Sequence, residues 1–183
     1  MSEQPTLTSA RLILRPFQPS DAPAVQAIAG AREIADTTLS IPHPYPDGAA
    51  AAWIGTHQAA WQAGTAVTYA ITPRDTGTLV GAIGLSVDAA HASAEVGYWV
   101  AVPHWNQGYC TEAARLLMDF AFGPLRLHRI QARHLTRNPA SGRVMQKLGM
   151  RLEGVSRDAV LKWGQFEDLA VYAILASDSG DNN

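Results

Sequence analysis

A single cysteine, Cys110, in 183 residues permits no internal disulfide, so the fold must rest on burial, and a reducing compartment suits it. Long apolar runs are missing too. The run "DLAVYAILA" is too short to span a bilayer, and the opening "MSEQPT" has neither the basic segment nor the apolar core of a signal peptide. Excess charge is absent: 14 Lys and Arg against 16 Asp and Glu give a formal charge of -2, which offers no general attraction to nucleic acid or anionic lipid. The six histidines, at 43, 57, 91, 104, 128 and 134, form no "HExxH" pattern, so no metal is expected. Neither "GxxxxGK[ST]" nor "GxGxxG" occurs, and there is no internal repeat or linker. A cytoplasmic protein with no membrane, metal or nucleic-acid partner is expected.

The 47% hydrophobic content is enough for a substantial core, and the length favours one domain over residues 1–177 with a flexible tail at 178–183. "RLILRPF" reads as a first strand, and Ser20 or Asp21 as a cap for a helix carrying Val25 and Ile28. Pro42, Pro44 and Pro46 define a loop. Asp47 can cap one helix, "AAAAWIGTHQAAWQAG", which Gly64 ends. "AVTYAITPR", "GTLVGAIGLSV" and "AEVGYWVAV" read as strands, the last with Glu95, Gly97 and Trp99 on one face and Val96, Tyr98 and Val100 on the other. The helix "TEAARLLMDFAF" follows, then the strand "HRIQARHL", the short helix "NPASGRVMQKLG", and two strands around "KWGQ". This order gives a mixed α/β sheet with helices on its faces.

Two junctions stand out. At "HWNQGYCTE" a strand bends into a helix whose first N–H groups lack internal partners; Gly108 permits close backbone approach, and Asn106 and Gln107 add neutral donors. That chemistry suits an anion, although a plain turn would use the same residues. In "RNPASGRVMQKLGM", Asn138 suits a helix N-cap, Pro139 the first helical position and Gly149 the end, which leaves Ser141, Arg143 and Lys147 unexplained. Positive charge gathers here, from Arg126 and Arg129 through Arg133 and Arg137 to Lys147. A solvated face accounts for it equally well.

Taken in order, "RLILRPF", "EVGYWV", "HWNQGYCTEA", "RNPASGRVMQKLGM" and "DLAVYAI" resemble the Gcn5-related N-acetyltransferase superfamily (GNAT), in particular the branch of bacterial ribosomal-protein N-terminal acetyltransferases. The resemblance implies an acyl-CoA N-acyltransferase fold, a mixed sheet splayed at the cofactor cleft, with acetyl-CoA between parting parallel strands and its pyrophosphate on the turn before the central helix. Cofactor contacts would then fall on Trp99, Val100, Val102, Trp105, Asn106, Gln107, Gly108, Tyr109, Cys110 and Thr111, and on Asn138, Ser141, Arg143 and Lys147. Trp105 stands where the superfamily usually carries Gln or Arg, so phosphate recognition must use backbone and neighbouring groups. Cys110 takes the small-residue position and is expected to pack near cofactor rather than act as nucleophile.

The same resemblance brings Ser141 to the coenzyme sulfur, to protonate the leaving thiolate directly or through water, unless its hydroxyl only closes a helix end. Glu95 is the first choice of base; a cross-strand pair is the alternative. An α-amine, with a pKa of about 8, needs less help to lose its proton than a lysine near 10.4. The expected activity is direct acetyl transfer to a primary amine, with a protein or peptide N-terminus ahead of a small-molecule amine or antibiotic. A non-catalytic acyl-CoA binding protein is the third possibility. His43, Tyr45 and Trp53 are candidate acceptor walls, Trp163 a cleft or subunit-boundary residue, and a homodimer a family-based expectation.

Overall fold

The computed structural model describes residues 3–180. A single mixed sheet runs through it in the order β1-β2-β3-β4-β5-β6-β8-β7. Its strands are β1 (Leu7–Thr8), β2 (Leu12–Arg15), β3 (Ala66–Pro73), β4 (Gly81–Asp88), β5 (Ser93–Val100), β6 (Arg129–Leu135), β7 (Arg151–Lys162) and β8 (Gln165–Leu175). Every neighbouring pair is antiparallel except β5 with β6. A parallel pair needs a crossover, and here it is helix α5 (Tyr109–Phe122).

Strand alternation divides the core. Tyr69, Ile71, Val96 and Val100 pack with Ala114, Leu117 and Phe120 of α5 in the main cluster. The intervening Ala70 and Trp99 turn to the opposite side, where Val25 of α1 (Ala22–Ala29) and Ile54 of α3 (Ala49–Gly55) form a second cluster. Helix α6 (Pro139–Lys147) follows β6 and buries Gly142 and Met145. At Gly142 the helix comes so near the strand that a Cβ there would lie 2.8 Å from His134 Nε2, which only glycine avoids.

Several elements differ from the sequence expectation. The helix expected across 49–64 is two, α3 and α4 (His57–Ala63), separated at Thr56, whose Oγ1 donates to Trp53 O at 2.7 Å. Gly48, at φ 77°, is the N-cap of α3 in place of Asp47. A short helix α2 (Arg32–Thr37) was not anticipated, because only Ile34 and Ala35 are buried and no apolar stripe marks it. Asp21 stands at the N-cap of α1, but its side chain makes no cap bond into that helix; its carboxylate receives Arg15 in a bidentate pair at 2.7 and 2.8 Å and the Gln18 N–H at 2.8 Å. Of the expected tail, residues 178–180 belong to a short 3-10 turn, Ala176–Gly180, and 181–183 lie outside the described residues. Among the described residues no helix is long and apolar enough to cross a membrane.

Burial opposes ionisation of Asp21, but the Arg15 and Gln18 hydrogen bonds and the Arg15 charge outweigh it and hold the carboxyl below its usual range. Such a group adds stability above the unfolded-state carboxyl value of about 3.9, and that stability is lost as pH falls through the lower folded value. Asp21→Asn should therefore cost about 2 kcal/mol in urea melts at pH 7, with the gap from the parent narrowing as pH is lowered towards 3.

Candidate active site

Strands β5 and β6 pair at only three positions, Ser93 with Arg129, Ala94 with Ile130 and Glu95 with Gln131, and then part. Two cavities open around the fork. The smaller, of about 270 Å³, lies between the end of β5, the turn before α5, and α6. The larger, of about 750 Å³, lies under the 37–46 loop, α3 and α4. Five residues line both: Thr37, Thr38, Tyr98, Trp99 and Ser141. Any reaction joining the contents of the two cavities must take place beside these five.

The start of α5 shapes the smaller cavity. Asn106 (φ 60°) and Gly108 (φ 80°) turn the chain through the left-handed region, and the first intrahelical bond runs from Glu112 N to Gly108 O at 3.0 Å. The N–H groups of Tyr109, Cys110 and Thr111 lie ahead of that bond, at the positive end of the helix dipole, and all three residues line the cavity. Trp105 joins them, its Nε1 donating to Val100 O at 2.6 Å. Arg143 and Lys147 line the opposite wall, and no salt bridge among the described residues engages either. The lining contains no carboxylate. Free helix N–H groups and two unpaired cations fit a phosphate-bearing ligand.

Behind the turn, Arg11 braces it. The guanidinium donates to Glu112 Oε2 at 2.7 Å and Gln107 O at 3.2 Å and sits 5.3 Å above the Tyr109 ring, while Ser9 Oγ meets Glu112 Oε1 at 2.8 Å. Burial would raise the Glu112 carboxyl, but the bonds from Ser9 and Arg11 prevail and hold it low. Two expected cofactor residues stay outside the lining. Val102 points outward from the turn, and Gln107 folds its amide back onto Pro103 O at 3.0 Å. Burial pushes the Cys110 thiol up to about 12, so it stays protonated near neutrality, as packing requires and a nucleophile does not.

At the junction, Asn138 caps α6 by accepting from Ser141 N at 3.4 Å and donates to Thr37 O at 3.2 Å. The Tyr98 hydroxyl lies 2.9 Å from Ser141 Oγ and 3.3 Å from Ser141 O. Burial pushes this phenol well above its usual range, which keeps it neutral. The segment 36–38 beside it is clamped from the C-terminal half: Arg137 pairs with Asp36 at 3.1 Å and Glu167 at 2.7 Å, and Lys162 Nζ donates to Thr38 O at 2.8 Å.

In the larger cavity, Glu95 accepts on Oε1 from Arg133 Nε and Nη2 at 3.0 and 2.9 Å, and on Oε2 from Gln131 at 3.1 Å. Glu95 and Arg133 are the only Asp, Glu, Lys or Arg residues in that lining, and they neutralise each other. Tyr45 and Trp53 form part of the wall of this cavity. His43 is exposed and outside it, and so is Trp163, which lies near the cations of Arg32 (5.4 Å) and Lys162 (5.0 Å). His57 belongs to the wall instead, its ring 4.4 Å from Trp53; burial lowers its pKa to about 4, so the imidazole is neutral. Tyr98, Thr37, Thr38, Arg133 and His57 are the site residues that local sequence patterns did not single out.

The family model described as acetyltransferase (GNAT) domain matches residues 11–151. An uncharacterised N-acetyltransferase of Bacillus subtilis, YoaA, is 33% identical over 93% of this chain and 97% of its own length. The ribosomal protein uS5 alanine N-acetyltransferase of Escherichia coli is 25% identical over 74% of this chain and 71% of its own. Among solved structures, Mycobacterium smegmatis RimJ in complex with CoA-disulfide superposes with a TM-score of 0.81 at 26% identity, covering 91% of this chain and 82% of that one.

The protonated state of Cys110 has a direct chemical readout. Because thiolate is scarce below about pH 12, alkylation by iodoacetamide at pH 8, followed by intact-mass analysis, should be at least about tenfold slower than for a free cysteine peptide. Labelling at the free-cysteine rate would show the thiolate to be present.

Proposed function

Since the chain belongs to the GNAT acetyltransferase family and is an acetyl-CoA-dependent N-acetyltransferase, we propose that its acceptor is the α-amine at the N-terminus of a protein or peptide. The observation that carries this reading is the charge of the larger cavity, whose single carboxylate, Glu95, is already paired with Arg133. A polycationic amine would need unpaired carboxylates along its length; a terminal α-amine followed by uncharged residues does not. The volume of about 750 Å³ and the apolar walls of Tyr45, Trp53 and Ile41 suit the first residues of a chain. The name of the Escherichia coli relative, an acetyltransferase of a ribosomal-protein alanine, supports the same class.

Acetyl-CoA supplies the acetyl group as a thioester. In this reading Asn106, Gly108, Tyr109, Cys110 and Thr111 hold its phosphates by backbone and side-chain donors, with Arg143 and Lys147 neutralising them from α6. Ser141 lies at the junction of the cavities, where its hydroxyl can donate a hydrogen bond to the departing thiolate, which takes up its proton from water. Glu95 keeps one acceptor site free on Oε2, through which it takes the proton of the amine directly or by way of water.

Mass-resolved acetylation of a mixed panel tests the acceptor: modification of peptide α-amines should exceed that of lysine side chains, polyamines and small monoamines. Selective modification of a small amine would move the assignment to metabolite acetylation. The base has its own test. Glu95→Gln should lower kcat/KM about a hundredfold at pH 7, and the deficit should shrink towards pH 9, where an α-amine of pKa about 8 is already neutral. A deficit independent of pH would remove Glu95 from that role.

A further inference from the structure

We infer that Tyr98 is a positioning residue that aims the Ser141 hydroxyl hydrogen, donating its own to Ser141 Oγ so that the serine hydrogen is left to face the junction of the two cavities. The inference rests on the proposed placement of the coenzyme sulfur at that junction. A phenol has one hydrogen, and two acceptors lie within reach: Ser141 Oγ at 2.9 Å and Ser141 O at 3.3 Å. The backbone oxygen belongs to the first turns of α6, where the helix supplies it with an N–H from four residues on, whereas Oγ has no other hydrogen-bond partner among the described residues. The shorter contact therefore also leads to the acceptor with more free capacity, since the carbonyl keeps one lone pair beyond its helical bond and Oγ keeps two.

Burial keeps the phenol in its neutral, donating form throughout the working pH range. In the reverse arrangement, with serine donating to Tyr98, the one serine hydrogen would be committed to the phenol oxygen and Ser141 would have none to offer a sulfur. The aim is also rigid. Tyr98 lies on β5, which is paired with β4 along its whole length, and its ring packs against the main core. Ser141 is fixed in turn by the Asn138 cap and by the close approach of Gly142 to His134.

The test compares Tyr98→Phe, Ser141→Ala and the double variant by steady-state kinetics, by calorimetric binding of coenzyme A, and by the ultraviolet absorbance of bound coenzyme thiolate across pH. Tyr98→Phe should lower kcat about tenfold, leave coenzyme affinity within about twofold, and raise the pH at which the bound thiol ionises by about one unit. The double variant should be no slower than Ser141→Ala, because Tyr98 acts through the serine. Full activity in Ser141→Ala would overturn the underlying placement and this inference with it. Loss of activity in Ser141→Ala alongside parental kcat and thiol ionisation in Tyr98→Phe would overturn this inference alone. Fully multiplicative losses in the double variant would do the same, since they would give Tyr98 a role independent of Ser141.

Discussion

The parting of β5 from β6 after Glu95 and Gln131 is the constraint on which the rest depends. On its other side β5 stays paired with β4 from Ser93 to Val100, so it remains straight and firm while one edge of its backbone opens. Backbone N–H and C=O groups facing such a gap demand partners, which makes the fork a place where something extended must lie. The structure props it open rather than letting it close. Helix α6 reaches in from the end of β6 to touch Tyr98, and the Glu95–Arg133 pair spans the base of the fork.

Around that opening the electrostatics fall into two regimes. The smaller cavity is cationic without a carboxylate, and the larger is neutral by mutual pairing. In the walls of the two cavities, burial holds three titratable side chains in their uncharged forms at neutral pH: Cys110 and Tyr98 by raising them, His57 by lowering it. What remains there is a set of oriented dipoles in a poorly screened setting, where a hydrogen bond is worth more than in water and where misdirecting one costs correspondingly more. Charge attracts the ligand at one end, and geometry governs the middle.

Much of this was legible in the residues. Strand alternation, Gly64 and Gly149 as helix ends, and the Asn138–Pro139 start of α6 located the main elements, and the "NQGYCT" turn disclosed the helix start lining the smaller cavity. Local pattern failed where the decisive partner lies far along the chain. Alternation placed Tyr98 opposite Glu95, but its hydroxyl meets a serine 43 residues later. Thr37 and Thr38 have no motif at all; they matter because Asn138 and Lys162 hold their carbonyls. Glu95 has cross-strand partners in Arg133 and Gln131, and helix α2 hid because six residues with two buried side chains carry no period.

The clamp on residues 36–38 has a bearing on how the molecule matures. These residues emerge early in synthesis, yet the groups that fix them, at Arg137, Asn138 and Lys162, are made 101 to 124 residues later. Contacts of such separation form late, after the closure entropy of the intervening chain has been overcome. The partition between the two cavities is thus among the last parts to settle, and a nascent chain that has folded its first five strands still lacks the wall that α6 supplies. Competence for chemistry waits on α6, which brings Asn138 and Ser141, and on the final hairpin, which brings Lys162 and completes the main core with Ala170, Tyr172 and Ile174.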